Sequence, residues 1–325
     1  PYCGDGIVQS EFGEDCDVKA DNKCTVAGQT GTRQCTDKCK WSDPSVAAWW
    51  RFDDGQIQTR VVKSLTLTTL KFDDFSTNDN DGACSYPTSC PNLAMNQKIK
   101  NSAVFNTIND SVSVSVPHKD SLMPDNISVE AWVKPVAYGT DWTRILEKGG
   151  FSIGGGYDLE LNPWADSSGK QKVRFAVWDS NAVSFRAESN SGVALNTWTH
   201  IVGTFVRNGE YNEIKVYING ILDGNLSSNT PSSPMQKSTA LLYIGRKSSE
   251  AAGFFTGLMD EIKIYSRALT AEEVKDHFEN GNNCNVNLQT VAVATSGICG
   301  DESVNSGEAC DGGAKNGIKC DPVYN

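Results

Sequence analysis

Alternation of apolar and polar residues is the dominant pattern between about residues 103 and 266. Valine alternates with serine through 111–116, and apolar residues alternate with polar ones through 157–162, 173–178 and 214–219. Side chains of a β-strand point to opposite faces in turn, so this period places one face against a core and the other in water. Repeated over many segments, it predicts an all-β fold of two antiparallel sheets packed as a sandwich.

The stretch from Gly257 to Gly281 begins with the same period. Leu258, Ile262 and Ile264 share one face of the predicted strand, and Asp260 has their parity. The sequence therefore predicts a carboxylate that points toward the core. A buried carboxylate needs a cation or several hydrogen-bond donors, because burial of an unpaired charge is too costly.

A capped helix is predicted directly after this strand. Thr270 is a suitable N-cap residue, Glu273 stands at the N3 position of a capping box, and Gly281 occupies the position of a C′ glycine.

Eight segments in a fixed order resemble the laminin-G-like, concanavalin-A-like lectin/glucanase modules. They are VAAWWRFDDG, DDFSTNDNDG, AVFNTINDSVSVSV, ISVEAWVKP, NTWTHIVGTF, IKVYINGILDG, LYIGRK, and the closing strand with its helix. The resemblance implies a two-sheet antiparallel jelly-roll sandwich, with Trp49, Trp132 and Trp198 at packing positions. It also implies binding of carbohydrate or protein, and the fold alone does not choose between them.

The resemblance places the Asp- and Asn-rich loop 73–81 close to the closing strand. This loop offers the mixture of carboxylate, amide and carbonyl oxygens that Ca²⁺ binds. We therefore expect one structural Ca²⁺, held by Asp260, Asp74, Asn78 and Asn80. The alternative is that Asp260 is hydrogen-bonded to backbone amides alone.

The chain contains 11 cysteines, clustered mostly near its ends, which favours disulfides and an oxidising compartment. Zinc is the competing interpretation, because Cys35 and Cys39 form a C-x3-C pair, but no histidine lies near them. Cys84 and Cys90 are spaced to close a small disulfide loop. The remaining connectivity does not follow from spacing.

An internal repeat flanks the predicted sandwich. CGDGIVQSEFGEDCD at 3–17 recurs, two residues shorter, as CGDESVNSGEACD at 299–311, and both copies resemble the cysteine-rich repeats of secreted and surface proteins. The acidic residues common to the copies indicate either calcium ligation or turn capping, namely Asp5, Glu14 and Asp17, repeated as Asp301, Glu308 and Asp311.

These features predict four regions and a longer native protein. The regions are a cysteine-rich module at 1–43, the laminin-G-like jelly roll at 44–283, an extended connector at 284–298 and a truncated second cysteine-rich module at 299–325. Because the second module ends before counterparts of the last two cysteines of the first, we expect the chain to continue beyond residue 325.

Residues 56–100 depart from the family pattern. They add a β-rich segment, QIQTRVVKSLTLTTLKF, and the loop that carries Cys84 and Cys90. An elaborated rim loop of this kind is often where binding specificity lies, although a stapled insertion can also be structural only.

The net charge of −11 and the isoelectric point near 4.8 exclude nucleic acid and anionic membrane surfaces as natural partners, and they suit cation binding. No apolar run is long enough to span a bilayer.

Candidate ligand-binding residues lie on the polar side of the predicted strands. Trp178 is in register with Arg174 on a face expected to be exposed, Asp158 lies on a neighbouring segment, and Trp164 lies in the predicted loop NPWADSSG. Aromatic rings stack on the apolar faces of sugars, while carboxylate or guanidinium groups bond the hydroxyls. The alternative is that these tryptophans pack against loops or neighbouring modules.

No catalytic motif accompanies these residues. The E-x-D-x-x-E strand of the glucanases is absent, and Asp158 with Glu160 equally describes an ordinary strand. We therefore expect a non-catalytic adhesion or carbohydrate-binding segment of a larger secreted or cell-surface protein, with a glycan or a surface protein as partner. The alternatives are an architectural subunit that self-assembles into a surface filament, sheath or layer, and an accessory domain of a polysaccharide-active enzyme.

Overall fold

The structure is a computed structural model of the chain. It describes residues 16, 23–26, 29–35, 40–53, 56–62, 65–85, 88–94, 98, 101–105, 112–150, 155–179, 183–207, 211–228 and 234–281. All of them belong to one compact unit, Pro1–Asn285. The predicted connector 284–298, the second cysteine-rich module 299–325 and the acidic residues of both repeat copies lie outside the described residues.

Strands make up most of the described chain. They are β1 Lys23–Val26, β2 Gln29–Thr32, β3 Gln34–Cys35, β4 Trp41–Ser42, β5 Val46–Trp50, β6 Gln56–Val62, β7 Leu65–Phe72, β8 Gly82–Ser85, β9 Asn92–Ala94, β10 Ser102–Phe105, β11 Val114–Val116, β12 Ile127–Pro135, β13 Thr143–Gly149, β14 Gly156–Ala165, β15 Gln171–Trp178, β16 Ser184–Val193, β17 Thr199–Arg207, β18 Asn212–Ile218, β19 Ile221–Ser228, β20 Leu242–Ile244 and β21 Gly257–Tyr265. The α-helix, α1, spans Ala271–Asn280.

Two large antiparallel sheets form the predicted jelly-roll sandwich. The eight-stranded sheet has the order β19-β18-β17-β12-β21-β10-β9, with β5 also paired to β21. The nine-stranded sheet has the order β16-β15-β14-β13-β20-β11-β8-β7-β6. Strands distant in sequence are therefore neighbours, as the closing strand β21 shows by pairing with β5, β10 and β12.

The core lies between these sheets, and the period-two pattern explains which residues fill it. Tyr157, Leu159 and Leu161 of β14 are at most 1% exposed, as are Ile214 and Val216 of β18. Full burial of an aliphatic or aromatic side chain stabilises the folded chain by roughly 1.5–3 kcal/mol, so these inward faces are the largest source of stability.

A β-bulge in β21 corrects the predicted direction of Asp260. Glu130 of β12 pairs with Lys263, but Trp132 pairs with Asp260, so β21 carries one extra residue between the two pairs. Glu261 has a φ of 49°, a left-handed value typical of such a site. The bulge reverses the parity of the strand, because one inserted residue turns every preceding side chain to the other face. Asp260 is buried as predicted, but on the side of Trp132 and away from the core.

Helix α1 confirms its predicted caps. The Thr270 hydroxyl accepts a hydrogen bond from the Glu273 N–H, the Glu273 carboxylate accepts one from the Thr270 N–H, and Gly281 is left-handed with a φ of 65°. The helix covers the outer face of the eight-stranded sheet, where the ring of Phe278 stacks at 5.7 Å on the indole of Trp132. Predicted burial is likewise observed for Trp49 and Trp132, whereas Trp198 is only partly buried.

Two disulfides join described cysteines. Cys16 pairs with Cys35, which favours the disulfide interpretation over zinc for Cys35, while Cys39 lies outside the described residues. Cys84 pairs with Cys90, with Cα atoms 5.1 Å apart, as predicted. This bond connects the end of β8 in one sheet to the segment that leads into β9 in the other. The inserted segment forms the hairpin β6–β7, which extends the nine-stranded sheet beyond β8.

Candidate functional site

The outer face of the nine-stranded sheet carries the side chains that alternate with the core residues. Directly opposed positions run across eight of its strands, from β7 to β16, in the order Lys71, Ala83, Ser115, Tyr243, Glu147, Asp158, Ala176 and Arg186. A second row contains Thr69 opposite Ser85, Arg144 opposite Glu160, and Glu160 opposite Arg174. One half of this face is therefore ionic, and the other half is rich in hydroxyl groups.

Five charged side chains form the ionic half. Arg144 contacts Glu147 and Glu160. Arg174 contacts Glu160, and its Nη2 lies 3.5 Å from Oδ1 of Asp158. All five residues are at most 8% exposed. The ion cluster, as we call these residues, is thus a desolvated network in which each guanidinium bridges two carboxylates.

The ion cluster holds three carboxyl groups against two guanidinium groups. Burial raises the pKa of Glu160 most, and the charge of Asp158 raises it further. Arg144 and Arg174 lower it, but the pKa of Glu160 stays well above its usual range. Burial also raises the pKa of Glu147. Raised pKa values suit a general acid, but Asp158 and Glu160 are fully buried, so a glycosidic bond in solvent does not reach them.

Trp178 joins the ion cluster through its indole N–H, which donates to Oδ2 of Asp158 at 2.8 Å. The predicted exposure of Trp178 is wrong, because the residue is 8% exposed. The segment that contains Met235 and Gln236 pairs with the end of β15, so the indole does not lie on an open surface. The structure thus brings together Trp178, Asp158 and Arg174, as the sequence predicts, but buries all three.

Two further tryptophans cover the ion cluster. The guanidinium of Arg174 lies 3.9 Å from the ring centroid of Trp142, and Trp164 meets Trp142 edge to face at 5.1 Å. Trp164 belongs to the end of β14 instead of the predicted loop, and it is 66% exposed. Through Trp142 it is connected to the other predicted residues. The pair presents an aromatic surface to solvent.

A groove of about 380 Å³ lies over the other half of the outer face. We call it the hydroxyl groove, and its lining residues are Thr69, Ala83, Cys84, Ser85, Ser89, Ser113, Ser115, Tyr243, Arg246, Ala251 and Phe254. The floor comes from β7, β8, β11 and β20. The guanidinium of Arg246 lies over the ring of Tyr243, 3.8 Å from its centroid.

The disulfide loop builds one wall of the hydroxyl groove. The Ser89 N–H donates to the carbonyl of Ser85, and the Ser113 N–H donates to the carbonyl of Ser89, both within 3.0 Å. The Cys84–Cys90 bond closes this loop. The rim loop to which the sequence assigned specificity therefore borders a groove.

The predicted calcium ligands of the loop 73–81 are bonded to protein donors. Both oxygens of Asp74 accept hydrogen bonds, from the N–H groups of Trp49, Ser76 and Asn80 and from the Ser76 hydroxyl, at 2.7–2.8 Å. The amides of Asn78 and Asn80 donate to carbonyls of β5. Nζ of Lys119 donates to the carbonyls of Asn78 and Asp79. An ammonium group therefore already occupies those carbonyl oxygens.

Asp260 lies elsewhere. Its oxygens accept hydrogen bonds from the Ser102 hydroxyl at 3.1 Å and the Glu261 N–H at 2.8 Å. The loop bonds one edge of β5 at Trp49, while β21 pairs along the other edge, so β5 separates Asp260 from Asp74. In the part of the chain that the structure describes, no three His, Cys, Asp or Glu residues form a cation site. The four predicted ligands therefore do not fit one Ca²⁺ as they are bonded here, and calcium binding stays a prediction.

A third polar cluster lies beneath α1, on the outer face of the eight-stranded sheet. Glu130 accepts hydrogen bonds from Tyr265 and interacts with His200 and His277, all within 3.0 Å. Burial opposes ionisation of Glu130, but His277, Lys263 and the histidine hydrogen bonds outweigh it and hold the pKa of Glu130 well below its usual range. The cluster is buried on every side by α1 and the sheet, which indicates a structural role.

Sequence reasoning offered Trp142, in the segment GTDWTR, as a further aromatic candidate, but it missed Arg144, Glu147, Tyr243 and Arg246. The alternation of serine and valine through 111–116 indicates an outward row of hydroxyls. Such a row lacks the aromatic residues by which sugar sites are usually recognised in a sequence. Pairing across distant strands, such as Ser115 with Tyr243, is what creates the hydroxyl groove, and no local pattern shows such pairing.

In the described residues no helix is long and apolar enough to cross a membrane.

No curated protein matches the sequence. Among solved structures, the binding domain of Paraclostridial Mosquitocidal Protein 1 is similar, with a TM-score of 0.49 and 15% identity over 70% of this chain and 52% of that one. The receptor-binding domain of botulinum neurotoxin D has a TM-score of 0.48 and 15% identity, over 71% of this chain and 53% of that one. The chain thus spans about half the length of these toxin domains.

Domain 4 of AbnA, a GH43 extracellular arabinanase from Geobacillus stearothermophilus in complex with arabinotriose, is also similar. Its TM-score is 0.45 and its identity 21%, over 71% of this chain and 97% of that one. The family model described as the concanavalin A-like lectin/glucanases superfamily, of laminin G type, matches residues 107–275. This match spans just over half of the 325 residues and agrees with the two-sheet sandwich described above. The chain therefore belongs to the concanavalin A-like lectin/glucanases superfamily.

Proposed function

We propose that this protein is a non-catalytic glycan-binding module that binds its ligand on the outer face of the nine-stranded sheet. The observation that carries the proposal is the hydroxyl groove. Its volume of about 380 Å³ suits a short stretch of saccharide, and ligand sites typically have volumes of roughly 300–1,000 Å³. Serine and threonine hydroxyls can exchange hydrogen bonds with sugar hydroxyls, while Tyr243 and Phe254 offer apolar ring surface.

Trp164 provides a second contact in this proposal. Its exposed indole stands on Trp142, which is supported by Arg174 and the ion cluster below it. An indole held from beneath loses little conformational freedom when a sugar ring stacks on it. Trp178, Arg174 and Asp158 then act by holding Trp142 in place, without touching the ligand themselves.

Lack of catalysis is part of the proposal. The carboxyl groups of Asp158 and Glu160 are 0% exposed and are engaged by arginines, whereas a glycosidase needs two carboxyl groups that flank the scissile bond. Reducing-end assays over common polysaccharides should show no activity above background. Activity abolished by Glu160→Gln would contradict this part.

Binding to a glycan array and affinity electrophoresis in polysaccharide gels test the binding function. The wild-type protein should be retained by at least one polysaccharide, and Tyr243→Ala or Trp164→Ala should lose most of that retention with an unchanged melting temperature. Tyr211→Ala is the matched control, because Tyr211 is 38% exposed and precedes β18 in the other sheet. A folded protein that binds no glycan, or variants that bind like wild type, would overturn the proposal.

The proposal also covers the setting of this module. We propose that it is part of a larger multi-module protein that is secreted or displayed at a cell surface, that it acts in adhesion, and that calcium stabilises it. The disulfides Cys16–Cys35 and Cys84–Cys90 support an oxidising compartment. The ion would require the loop 73–81 to exchange some of its present hydrogen bonds for metal contacts.

An architectural role remains the second candidate, because β19 is an edge strand with exposed apolar residues. Ile221, Leu222 and Leu226 are 71%, 46% and 43% exposed. An edge strand of this composition can pair with another copy of the chain. Sedimentation and negative-stain microscopy of the purified protein should show ordered assemblies that Ile221→Lys disperses. A monomer at high concentration would exclude this candidate.

A further inference from the structure

Arg246 differs from the two arginines of the ion cluster. Arg144 and Arg174 each contact two carboxylates. Within the residues that the structure describes, Arg246 has no carboxylate within ion-pair distance, and its buried Nε has no hydrogen-bond partner. Its contact is the ring of Tyr243, over which the guanidinium lies at 3.8 Å. A guanidinium that lines a groove and has no carboxylate to neutralise it is suited to an anion from outside the chain.

The surroundings of Arg246 preserve its charge. The lining of the hydroxyl groove contains no carboxylate, and Arg246 is its charged member. Acidic groups on the neighbouring strand and loops are engaged elsewhere: Glu147 contacts Arg144 and the Ser248 N–H, while Asp141 and Glu250 contact Lys247. The lining of the groove thus carries one positive charge on a protein whose net charge is −11, and an unpaired local charge of this sign attracts anions.

Stacking also prepares Arg246 for a planar or tetrahedral anion. The guanidinium lies over the ring of Tyr243 at 3.8 Å, so its terminal N–H groups are the donors for a ligand in the groove. Those donors match the oxygens of a carboxylate or sulfate, and they are held before the ligand arrives. The Ser115 hydroxyl, on the adjacent strand, donates to the carbonyl of Ala83 at 3.0 Å, so its lone pairs stay available to sugar hydroxyls.

We propose that the hydroxyl groove selects acidic saccharides, and that Arg246, stacked on Tyr243, binds the carboxylate or sulfate of one sugar residue. This inference rests on the proposed glycan-binding function and names the class of its ligand. Carboxylate and sulfate present the same oxyanion chemistry to the guanidinium. The neighbouring serine and threonine hydroxyls then bind the uncharged part of the sugar.

Affinity electrophoresis and titration calorimetry with matched polysaccharides test this inference. The pairs are polygalacturonate with its fully methyl-esterified form, and dextran sulfate with dextran. At least one charged member should bind tenfold or more tightly than its neutral partner, because only the charged member forms a charge-assisted hydrogen bond with the guanidinium. Preference for polygalacturonate alone identifies a carboxylate ligand, and preference for dextran sulfate alone identifies a sulfate ligand. Polyglutamate is the control for charge without sugar, and equal binding of polyglutamate would overturn the inference.

Variants locate the effect. Arg246→Gln should lower affinity for the charged polysaccharide by about tenfold or more, with a melting temperature like that of wild type, and Arg246→Lys should restore only part of it because lysine lacks the planar fork. Arg186→Gln is the matched control, because it removes the same charge from an exposed position of β16 on the same face.

The two proposals fail in different ways. Equal binding of neutral and charged members, abolished by Tyr243→Ala but unaffected by Arg246→Gln, would refute the acidic ligand and leave the glycan-binding function intact. Binding to no polysaccharide at all would refute both.

Discussion

Nδ1 of His277 lies 2.9 Å from a carboxylate oxygen of Glu130, and this contact fastens helix α1 to the eight-stranded sheet. The same carboxylate receives the Tyr265 hydroxyl at 2.7 Å and lies 3.0 Å from Nε2 of His200. A helix cap alone stabilises by about 1 kcal/mol, so the buried carboxylate is the stronger attachment.

We expect the protein to lose stability as the pH falls from about 7 to about 5, because of His200. Burial lowers the pKa of His200 below the ordinary value of 6.5, although Glu130 acts in the opposite direction. The unfolded chain therefore takes up a proton near pH 6.5, while the folded chain does so only at lower pH, and acid favours unfolding in that window. Urea denaturation should show a loss of up to about 1.4 kcal/mol per pH unit for this group.

Two variants check the source of this slope. His200→Gln should remove this loss of stability between about pH 7 and about pH 5. A loss at lower pH should remain, because Glu130, whose pKa is lowered in the folded chain, takes up a proton there. His118→Gln, at a histidine with a side chain 25% exposed, should keep it. Equal slopes for wild type and His200→Gln would contradict the assignment.

Arg267→Lys should lower the free energy of unfolding by about 1–2 kcal/mol. Arg267 makes two hydrogen bonds to Glu273, at 2.7 and 2.8 Å, and one to Asp43 at 2.6 Å, so it joins the start of the sandwich to α1. Lysine keeps the charge but cannot form the paired contacts. Chemical denaturation measures the change, with the exposed Arg186→Lys as control, and a loss equal to that of the control would show that the fork geometry is unimportant.

Asp74→Ala should destabilise the sandwich by at least about 3 kcal/mol, because three backbone N–H groups lose their acceptor. Asp79→Asn, at an exposed position of the same loop, should have little effect. Thermal melts of both variants measure the difference. Similar melting temperatures would contradict the role given to Asp74.

Chelation decides the calcium prediction. An ion bound by the native state alone stabilises by mass action, so a chelator should lower the melting temperature and added Ca²⁺ should restore it. Asp260→Asn should blunt that response. A melting curve indifferent to chelator would show that the protein donors around Asp74 and Asp260 suffice.

Removal of the Cys84–Cys90 disulfide should cost about 2 kcal/mol, as expected for a short closed loop, and should weaken glycan retention by loosening a wall of the hydroxyl groove. The variant is Cys84→Ala with Cys90→Ala. Cys16→Ala with Cys35→Ala is the matched control and should leave retention unchanged. Mass mapping of a non-reduced digest should also show the Cys84–Cys90 linkage, and free thiols at both positions would remove the argument for an oxidising compartment.

Local patterns in the sequence were sufficient for the sandwich and its closing helix. The inward faces of β14, β15 and β18, and the caps at Thr270 and Gly281, depend on neighbours within a few residues, so periodicity and capping rules identify them. The period-two pattern predicted the wrong face for Asp260, because the bulge at Glu261 depends on how β21 pairs with β12. No spacing within β21 indicates that pairing.

The candidate site was predicted less completely, for a related reason. Trp178, Arg174 and Asp158 meet as expected, since adjacent strands carry them. Their burial could not be predicted, because Trp142 and the segment around Met235 come from distant parts of the chain. The exposed position of Trp164 and the hydroxyl groove likewise follow from tertiary contacts.

The hydroxyl groove is lined partly by the inserted segment and partly by strands of the shared sandwich. Thr69 and Ser85 come from β7 and β8, within the segment that departs from the family pattern, whereas Ser115 and Tyr243 come from β11 and β20 of the shared sandwich. The part of the floor from β7 and β8 can therefore vary in length and chemistry, while Val114, Val116 and Ile244 behind the part from β11 and β20 keep the core intact. Substitutions or insertions confined to β7 and β8 would therefore reshape the groove without unfolding the sandwich.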